Sequence, residues 1–147
     1  MLIRETELTE DVIRQLIALS IDWENEQSCH GYRDNQLSDL GGMRVFVAEE
    51  GGLIIGYLFG HSFSSKNMRS IMPEKSPCFE VEELYVIPEK RSQGIGRALF
   101  SFTEDAVRSE AEYMVLSTAA KNWKAILRFY LDELGMEFWS ARLFKRI

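Results

Sequence analysis

Cysteine, histidine and proline are scarce in this chain, which holds two, two and three of them in 147 residues. Cys29 and Cys78 stand far apart and form no Cys-x-x-Cys pair. They read as free thiols of a reducing, cytoplasmic setting rather than as a disulfide framework. His30 and His61 join those cysteines at no familiar zinc spacing, so no resident metal is expected. Long apolar runs are missing too. The longest, Leu53 to Gly60, is broken by Gly56 and falls far short of the roughly 20 residues a membrane helix needs. Met1 to Glu5 shows no basic stretch leading into an apolar one, so neither a signal peptide nor a membrane partner is expected. An excess of base is also lacking: 17 Lys and Arg face 23 Asp and Glu, for a net charge of −6. Phosphate backbones demand the opposite balance, which argues against a nucleic-acid partner.

What is present suits one domain. Apolar residues make up 46% of the chain and charged ones 27%, enough for a single core at this length. The acidity is local. Residues 1–40 carry nine acids against three arginines, while residues 41–147 balance at 14 of each. Such a segment fits a cationic small molecule or a basic peptide, and it equally fits a solvated acidic surface.

The pattern predicts a strand over Leu2 to Glu5, then a helix from Thr9, an N-cap hydroxyl, to about Ser20. Residues 21–42 read as irregular, with a second short helix near Trp23 to Gln27. Arg44 to Glu49 and Leu53 to Ser62 around Glu50-Gly51-Gly52 predict a hairpin. Ser64 to Pro77 is a long polar connection, of the kind that often carries function. Phe79 to Val86 predicts a third long strand, stopped by Pro88. On strict alternation Phe79, Val81, Glu83 and Tyr85 share one face, and Glu80, Glu82, Leu84 and Val86 the other. A helix follows from Gly94 to about Ser109, with Ala98, Leu99, Phe102, Ala106 and Val107 as its apolar stripe. Tyr113 to Thr118 reads as a strand and Asn122 to Leu134 as a helix capped by Gly135. Met136 to Ile147 is expected to add one or two closing strands. This order predicts an α/β or α+β domain around a central mixed sheet.

The stretch richest in chemistry runs from Val81 to Leu99: strand, turn, glycine loop, helix. Gly94 and Gly96 lack Cβ atoms, so a ligand can approach the backbone. Amides at a helix start have no internal partners and, with the helix dipole, attract anions. Lys90, Arg91 and Arg97 add positive charge, so a phosphate or pyrophosphate ligand follows. Gly96-Arg97-Ala98 lacks the Lys-Ser/Thr of a nucleotide phosphate loop, and Leu99 stands where a dinucleotide fingerprint needs a small residue.

Arg91-Ser92-Gln93-Gly94-Ile95-Gly96 resembles the Arg/Gln-x-x-Gly-x-Gly/Ala signature of the GNAT-type N-acetyltransferases. Asn122, Ala125, Tyr130 and Leu134-Gly135-Met136 are similar to that family's Asn-x-x-Ala…Tyr…Leu-Gly-Phe ending. The resemblance covers most of residues 43–138; the first 42 agree only in layout. It implies a single N-acetyltransferase domain over residues 1–147, whose mixed, mostly antiparallel sheet splays at the cofactor loop between about four helices. It implies acetyl-CoA as cosubstrate, with Arg91, Ser92, Gln93, Gly94, Ile95, Gly96 and Arg97 at its pyrophosphate. Leu84, Tyr85 and Val86 would pair with the pantetheine arm, the Val86 amide would polarise the thioester carbonyl, and Asn122 would contact CoA. Glu82 would be the base that frees the acceptor amine; apart from the resemblance, alternation puts Glu80 and Glu82 on one strand face, which fits either a bound cation or a solvated surface. Tyr130 would protonate the departing sulfur. Asn122 to Tyr130 spans eight residues where seven are usual, and Phe129 holds the seventh position. One residue turns a helical side chain by about 100°, so either Phe129 or Tyr130 faces the sulfur. The expected acceptor is a primary amine on a small molecule or peptide, with Trp23, Glu24, Glu26, His30, Tyr32 and residues 64–77 around it. Longer acyl groups and a homodimer are both allowed. The competing reading is a non-catalytic module that binds or senses acyl-CoA.

Overall fold

A computed structural model describes residues 1–147. Five strands form one sheet in the order β1-β2-β3-β4-β5: Leu2–Thr6, Arg44–Glu50, Leu53–Ser64, Pro77–Val86 and Tyr113–Val115. The first three pairings are antiparallel and β4–β5 is parallel. The expected mixed, mostly antiparallel sheet is therefore present. Helices α1 (Glu10–Glu26), α2 (Leu37–Leu40), α3 (Ile95–Val107) and α4 (Trp123–Arg128) flank it. No helix is long and apolar enough to cross a membrane.

The sheet is the middle of three layers. On one face Val45, Val47, Tyr57, Phe59 and Tyr85 pack with Val12 and Leu16 of α1 and Leu40 of α2. On the other, Phe46, Leu58, Phe79 and Val81 pack with Ile95, Leu99, Phe100 and Val107 of α3. Full burial of one such side chain contributes roughly 1.5–3 kcal/mol. Local signals start and stop the elements. The Thr9 hydroxyl accepts the Val12 amide at 3.3 Å and caps α1, worth about 1 kcal/mol. Gly51 and Gly52 both hold positive φ in the β2–β3 turn, which their lack of Cβ permits.

Several elements differ from the sequence pattern. Helix α1 runs on through Trp23 to Glu26 instead of ending near Ser20, because its far end is held by tertiary contacts described below. The buried stripe of α3 is Ile95, Leu99, Phe100, Thr103 and Val107. Phe102 faces outward, and the Thr103 hydroxyl is satisfied by the Leu99 carbonyl at 2.9 Å. Strand β5 stops at Val115 rather than Thr118. The last helix changes to a π turn over Phe129–Glu133, closed by the Leu134 amide on the Phe129 carbonyl, before Gly135 at φ 69°. Residues 137–147 form no strand.

The largest departure lies between β3 and β4. Phe59 pairs with Glu83 and Gly60 with Val81, so Glu82 has no partner residue and forms a bulge. One extra residue reverses the parity of everything beyond it. Phe79 and Val81 thus share the α3 face with Leu84 and Val86, while Glu80, Glu82, Glu83 and Tyr85 share the α1 face. Gly60 makes the step possible, since a Cβ there would lie 2.0 Å from the Glu80 carbonyl oxygen. Gly60→Ala is expected to destabilise the fold by about 2 kcal/mol or more, the cost of overpacking a site with no room to relax. Urea denaturation checks this, and an unchanged midpoint would mean that the strands pass each other elsewhere.

Candidate active site

The glycine loop follows β4 through a single 3₁₀ turn, Pro88–Lys90. Ser92 and Gly94 take left-handed φ of 61° and 83°, which swings the chain into α3. The first amide bonded within this start is that of Ala98, on the Gly94 carbonyl at 2.9 Å. The six preceding amides, Ser92 to Arg97, have no protein acceptor. Such consecutive free donors at a helix N-terminus form an anion cradle. Gly96 keeps its approach open, with Phe129 packed at its edge: a Cβ there would meet the Phe129 ring at 3.4 Å.

Arg91 serves the scaffold of this loop. Its Nε donates to the Val86 carbonyl at 2.8 Å, and its Nη2 reaches Glu26 Oε1 at 2.7 Å. The guanidinium lies 5.3 Å from the centre of the Tyr85 ring. Trp23 stacks on the other neighbours of that ring system, 5.2 Å from Tyr85 and 4.2 Å from Tyr32. The end of α1 is thereby clamped onto β4 and the loop, which explains its length. Burial, with Glu26 adding to it, raises the Tyr85 phenol to about 12, so it stays neutral. Its hydroxyl is buried without a partner.

Beside the loop the sheet opens. Strands β4 and β5 pair only from Cys78–Tyr113 to Glu80–Val115. Past Glu80 the β4 edge has no neighbouring strand. The Ile87 amide bonds back to the Ile55 carbonyl on β3, and antiparallel bonding alternates. Tyr85 therefore faces β3 with its backbone, while the amides of Leu84 and Val86 face the gap. Asn122 occupies the N-cap of α4, but its exposed side chain caps nothing.

On the α1 face the bulge gathers carboxylates. An open cleft of ≈ 390 Å³ is lined by Asn35, Ser38, Asp39, Met43, Phe59, Glu82 and Glu83. Glu83 Oε1 accepts from Asn35 Nδ2 at 2.8 Å, Tyr57 at 2.8 Å and Tyr32 at 3.0 Å. Burial raises its pKa against the pull of these three donors, and the charge of Asp39 raises it further. Glu82 lies 3.2 Å from His61 Nδ1, at ion-pair distance but without hydrogen-bond alignment. Ligand atoms of His61, Glu80 and Glu82 all fall within 4.8 Å. Burial, then the charge of Glu82, raises the Glu80 carboxyl. A wider depression of ≈ 560 Å³ runs along β1 and β2, but its Arg4, Glu5 and Arg44 are already ion-paired.

Of the residues expected around an acceptor, Tyr32 stands beside Glu83 and Trp23 stacks on Tyr32, while Glu26 is engaged by Arg91. The 64–77 connection instead closes on itself through Ser65, Pro73 and Ser76 and is absent from the cleft lining. Asn35, Asp39 and Glu83 escape sequence reasoning: the first two lie in a stretch without periodicity, and the bulge moves the third to the other face. Tyr130 is half-buried; burial, then the nearby Cys29, raises its phenol to about 12.

Comparisons with known proteins agree with this geometry. Among curated proteins none matches the chain in sequence. Among solved structures, a transcriptional regulator from Bacillus halodurans C-125 is 20% identical with a TM-score of 0.73, covering 99% of each chain. An aminoglycoside N-acetyltransferase, AAC(6')-Iy, solved in complex with CoA, is 20% identical with a TM-score of 0.65, covering 99% of this chain and 98% of its own. An aminoglycoside acetyltransferase from an uncultured soil metagenomic sample, in complex with sisomicin, is 17% identical with a TM-score of 0.67, covering 99% and 96%. At these identities the likeness is one of fold. Residues 10–136 match the acetyltransferase (GNAT) family, and with the free-amide loop and the splayed sheet in place, the chain belongs to that family.

Proposed function

We propose that this acetyltransferase moves an acetyl group from acetyl-CoA directly to a primary amine of a cationic small molecule or peptide, using residues 1–147 as one catalytic domain. The observation that carries the reading is the β4 bulge. It sets Glu82 in an acid-lined cleft, while the same strand presents open amides to the gap beside the glycine loop.

The residues suit the cosubstrate. Six unpaired amides from Ser92 to Arg97 offer a pyrophosphate site, with Arg97 adding charge and Arg91 holding the loop in shape. The Leu84 and Val86 amides would receive the pantetheine arm like a strand added to a sheet edge. The Val86 amide would polarise the thioester carbonyl. The free Asn122 side chain stands at the start of α4. Acetyl-CoA, when bound, supplies an acetyl group activated as a thioester.

The chain supplies proton handling and orientation. An ammonium has no lone pair, so Glu82 takes its proton, and the uncharged amine attacks. Asp39 and Glu83 give a cationic acceptor opposite charge along the approach, in the acidic neighbourhood visible in the sequence. The Trp23–Tyr32 stack adds aromatic faces for a cation. Tyr130 holds its proton at neutral pH because its phenol sits near 12, and it donates that proton to the sulfur as the thiolate leaves. The bound aminoglycoside in one structure of similar fold is itself a polyamine ligand of that protein, and it supports the same acceptor class here.

Glu82→Gln keeps size and removes basicity. Turnover with a polyamine, followed by CoA release, is expected to fall about 100-fold or more at neutral pH, the usual range for a lost general base. The deficit should shrink toward pH 10, where free amine is abundant. Equal loss at every pH would end the base assignment. Tyr130→Phe should lower turnover several-fold while acetyl-CoA affinity by calorimetry and melting temperature stay unchanged. Full activity would strike Tyr130 from the catalytic groups and leave the proton to water.

A further inference from the structure

The β4 bulge brings a mixed set of donors together beside the acid-lined cleft. His61 of β3 stands directly opposite Glu80 of β4, and residues so opposed share one face with Cβ atoms about 5 Å apart. The unpaired Glu82 joins that face. One ligand atom from each of His61, Glu80 and Glu82 lies within 4.8 Å of the other two. An imidazole among the carboxylates sets the group apart from an ordinary acidic surface, and that imidazole is unsatisfied. His61 Nδ1 is shut off from solvent and has no hydrogen-bond partner. Glu82 Oε1 lies 3.2 Å away but does not satisfy it. A proton on Nδ1 would miss that oxygen for want of alignment. A bare Nδ1 sets its lone pair against an ionised carboxylate, which only accepts. A cation between the two satisfies both.

The geometry and the donor chemistry agree on the kind of cation. Metal bonds of about 2.0–2.2 Å put neighbouring tetrahedral donors roughly 3.3–3.5 Å apart, and the distance from His61 to Glu82 is close to that. The Glu80 carboxylate, on a half-buried side chain, can close the remaining gap by changing rotamer. Two carboxylates balance a divalent charge. Magnesium and calcium seek oxygen alone, whereas zinc and its first-row neighbours accept imidazole nitrogen with carboxylate oxygen. His61 and Glu82 are each more than a third exposed, so water can complete the coordination shell. Cysteine, the usual partner of histidine in sequence signatures for zinc, has no part in this set. Its ligands come from two strands and meet only through the register.

We propose that His61, Glu80 and Glu82 bind one divalent transition-metal ion of the zinc class beside the acid-lined cleft. The binding stands on geometry alone. Its consequence rests on the acetyl-transfer reading: an ion on Glu82 takes the lone pair that would remove the ammonium proton, so metal and cationic acceptor exclude each other.

Calorimetric titration of zinc into the metal-free full chain, in a buffer that does not bind zinc, is the test. One ion per chain is expected. His61→Ala and Glu80→Gln should each weaken binding about tenfold or more, as losses around metal ligands do. His30→Ala, at the other histidine, should bind like the unmodified chain, and magnesium at the same concentration should give no binding heat. With zinc saturating, turnover of a polyamine by the unmodified chain should stop. Binding without inhibition would strike Glu82 as the base and overturn the exclusion, while the site itself stands. Absence of saturable zinc binding overturns the site. Binding that survives both substitutions overturns it too, because the ion then sits elsewhere, and equal binding of magnesium overturns the zinc class. Should both variants fail to fold, nitrogen NMR of the unmodified chain decides. A His61 Nδ1 resonance that moves with zinc supports the site, and one that stays refutes it.

Discussion

Glycine 60 and the bulge opposite it set the geometry on which the site depends. With no room for a Cβ over the Glu80 carbonyl, β3 passes close to β4, and Glu82 is extruded from the pairing. Before the bulge, Phe79 and Val81 anchor β4 to the α3 layer; after it, Leu84 and Val86 do the same. The strand is thus held on the same face at both ends while one residue is added between. The surplus is expressed on the α1 face, where Glu80, Glu82 and Glu83 all emerge. Three carboxylates on one short strand segment repel each other. The fold offsets this by giving Glu83 three hydrogen-bond donors.

A second set of contacts joins this cleft to the glycine loop. Arg91 binds the Val86 carbonyl, Glu26 and the Tyr85 ring together. At partly exposed positions the ion pair itself contributes little stability, about 1 kcal/mol or less. Its value is positional: it fixes the loop to the strand end and to α1 at once. The parallel pairing of β4 and β5 stops three residues in, so the strand that carries Glu82 also has a free edge. The acid-lined cleft and the free edge beside the glycine loop therefore belong to one strand.

The fold was legible where local chemistry determines it. Two glycines made the β2–β3 turn, Thr9 capped α1, and the run from Arg91 to Gly96 announced a free-amide helix start. What stayed hidden depends on neighbours. Strict alternation put Glu83 with Phe79, because a bulge is a property of two strands and appears in neither alone. Asn35 and Asp39 lie in a segment without periodicity, positioned by Glu83 and by the capping of α2. The extra length of α1 comes from Trp23 and Glu26 meeting partners remote in sequence. The apolar pattern of the tail reads as strand, yet residues 137–147 pair with no strand of this chain. The eight-residue step from Asn122 to Tyr130 is ambiguous in the sequence; in the structure the Phe129 ring lies against Gly96, and Tyr130 sits inside the π turn of Phe129–Glu133.

The account is tested most directly by following backbone amides in a ¹⁵N-labelled chain as acetyl-CoA is added. The amides of Leu84 and Val86 and the six from Ser92 to Arg97 should shift together and saturate at one ligand per chain. The amide of Tyr85, turned toward β3, should move least among its neighbours. Shifts confined to another surface, or a glycine loop that stays unperturbed at saturation, would contradict it.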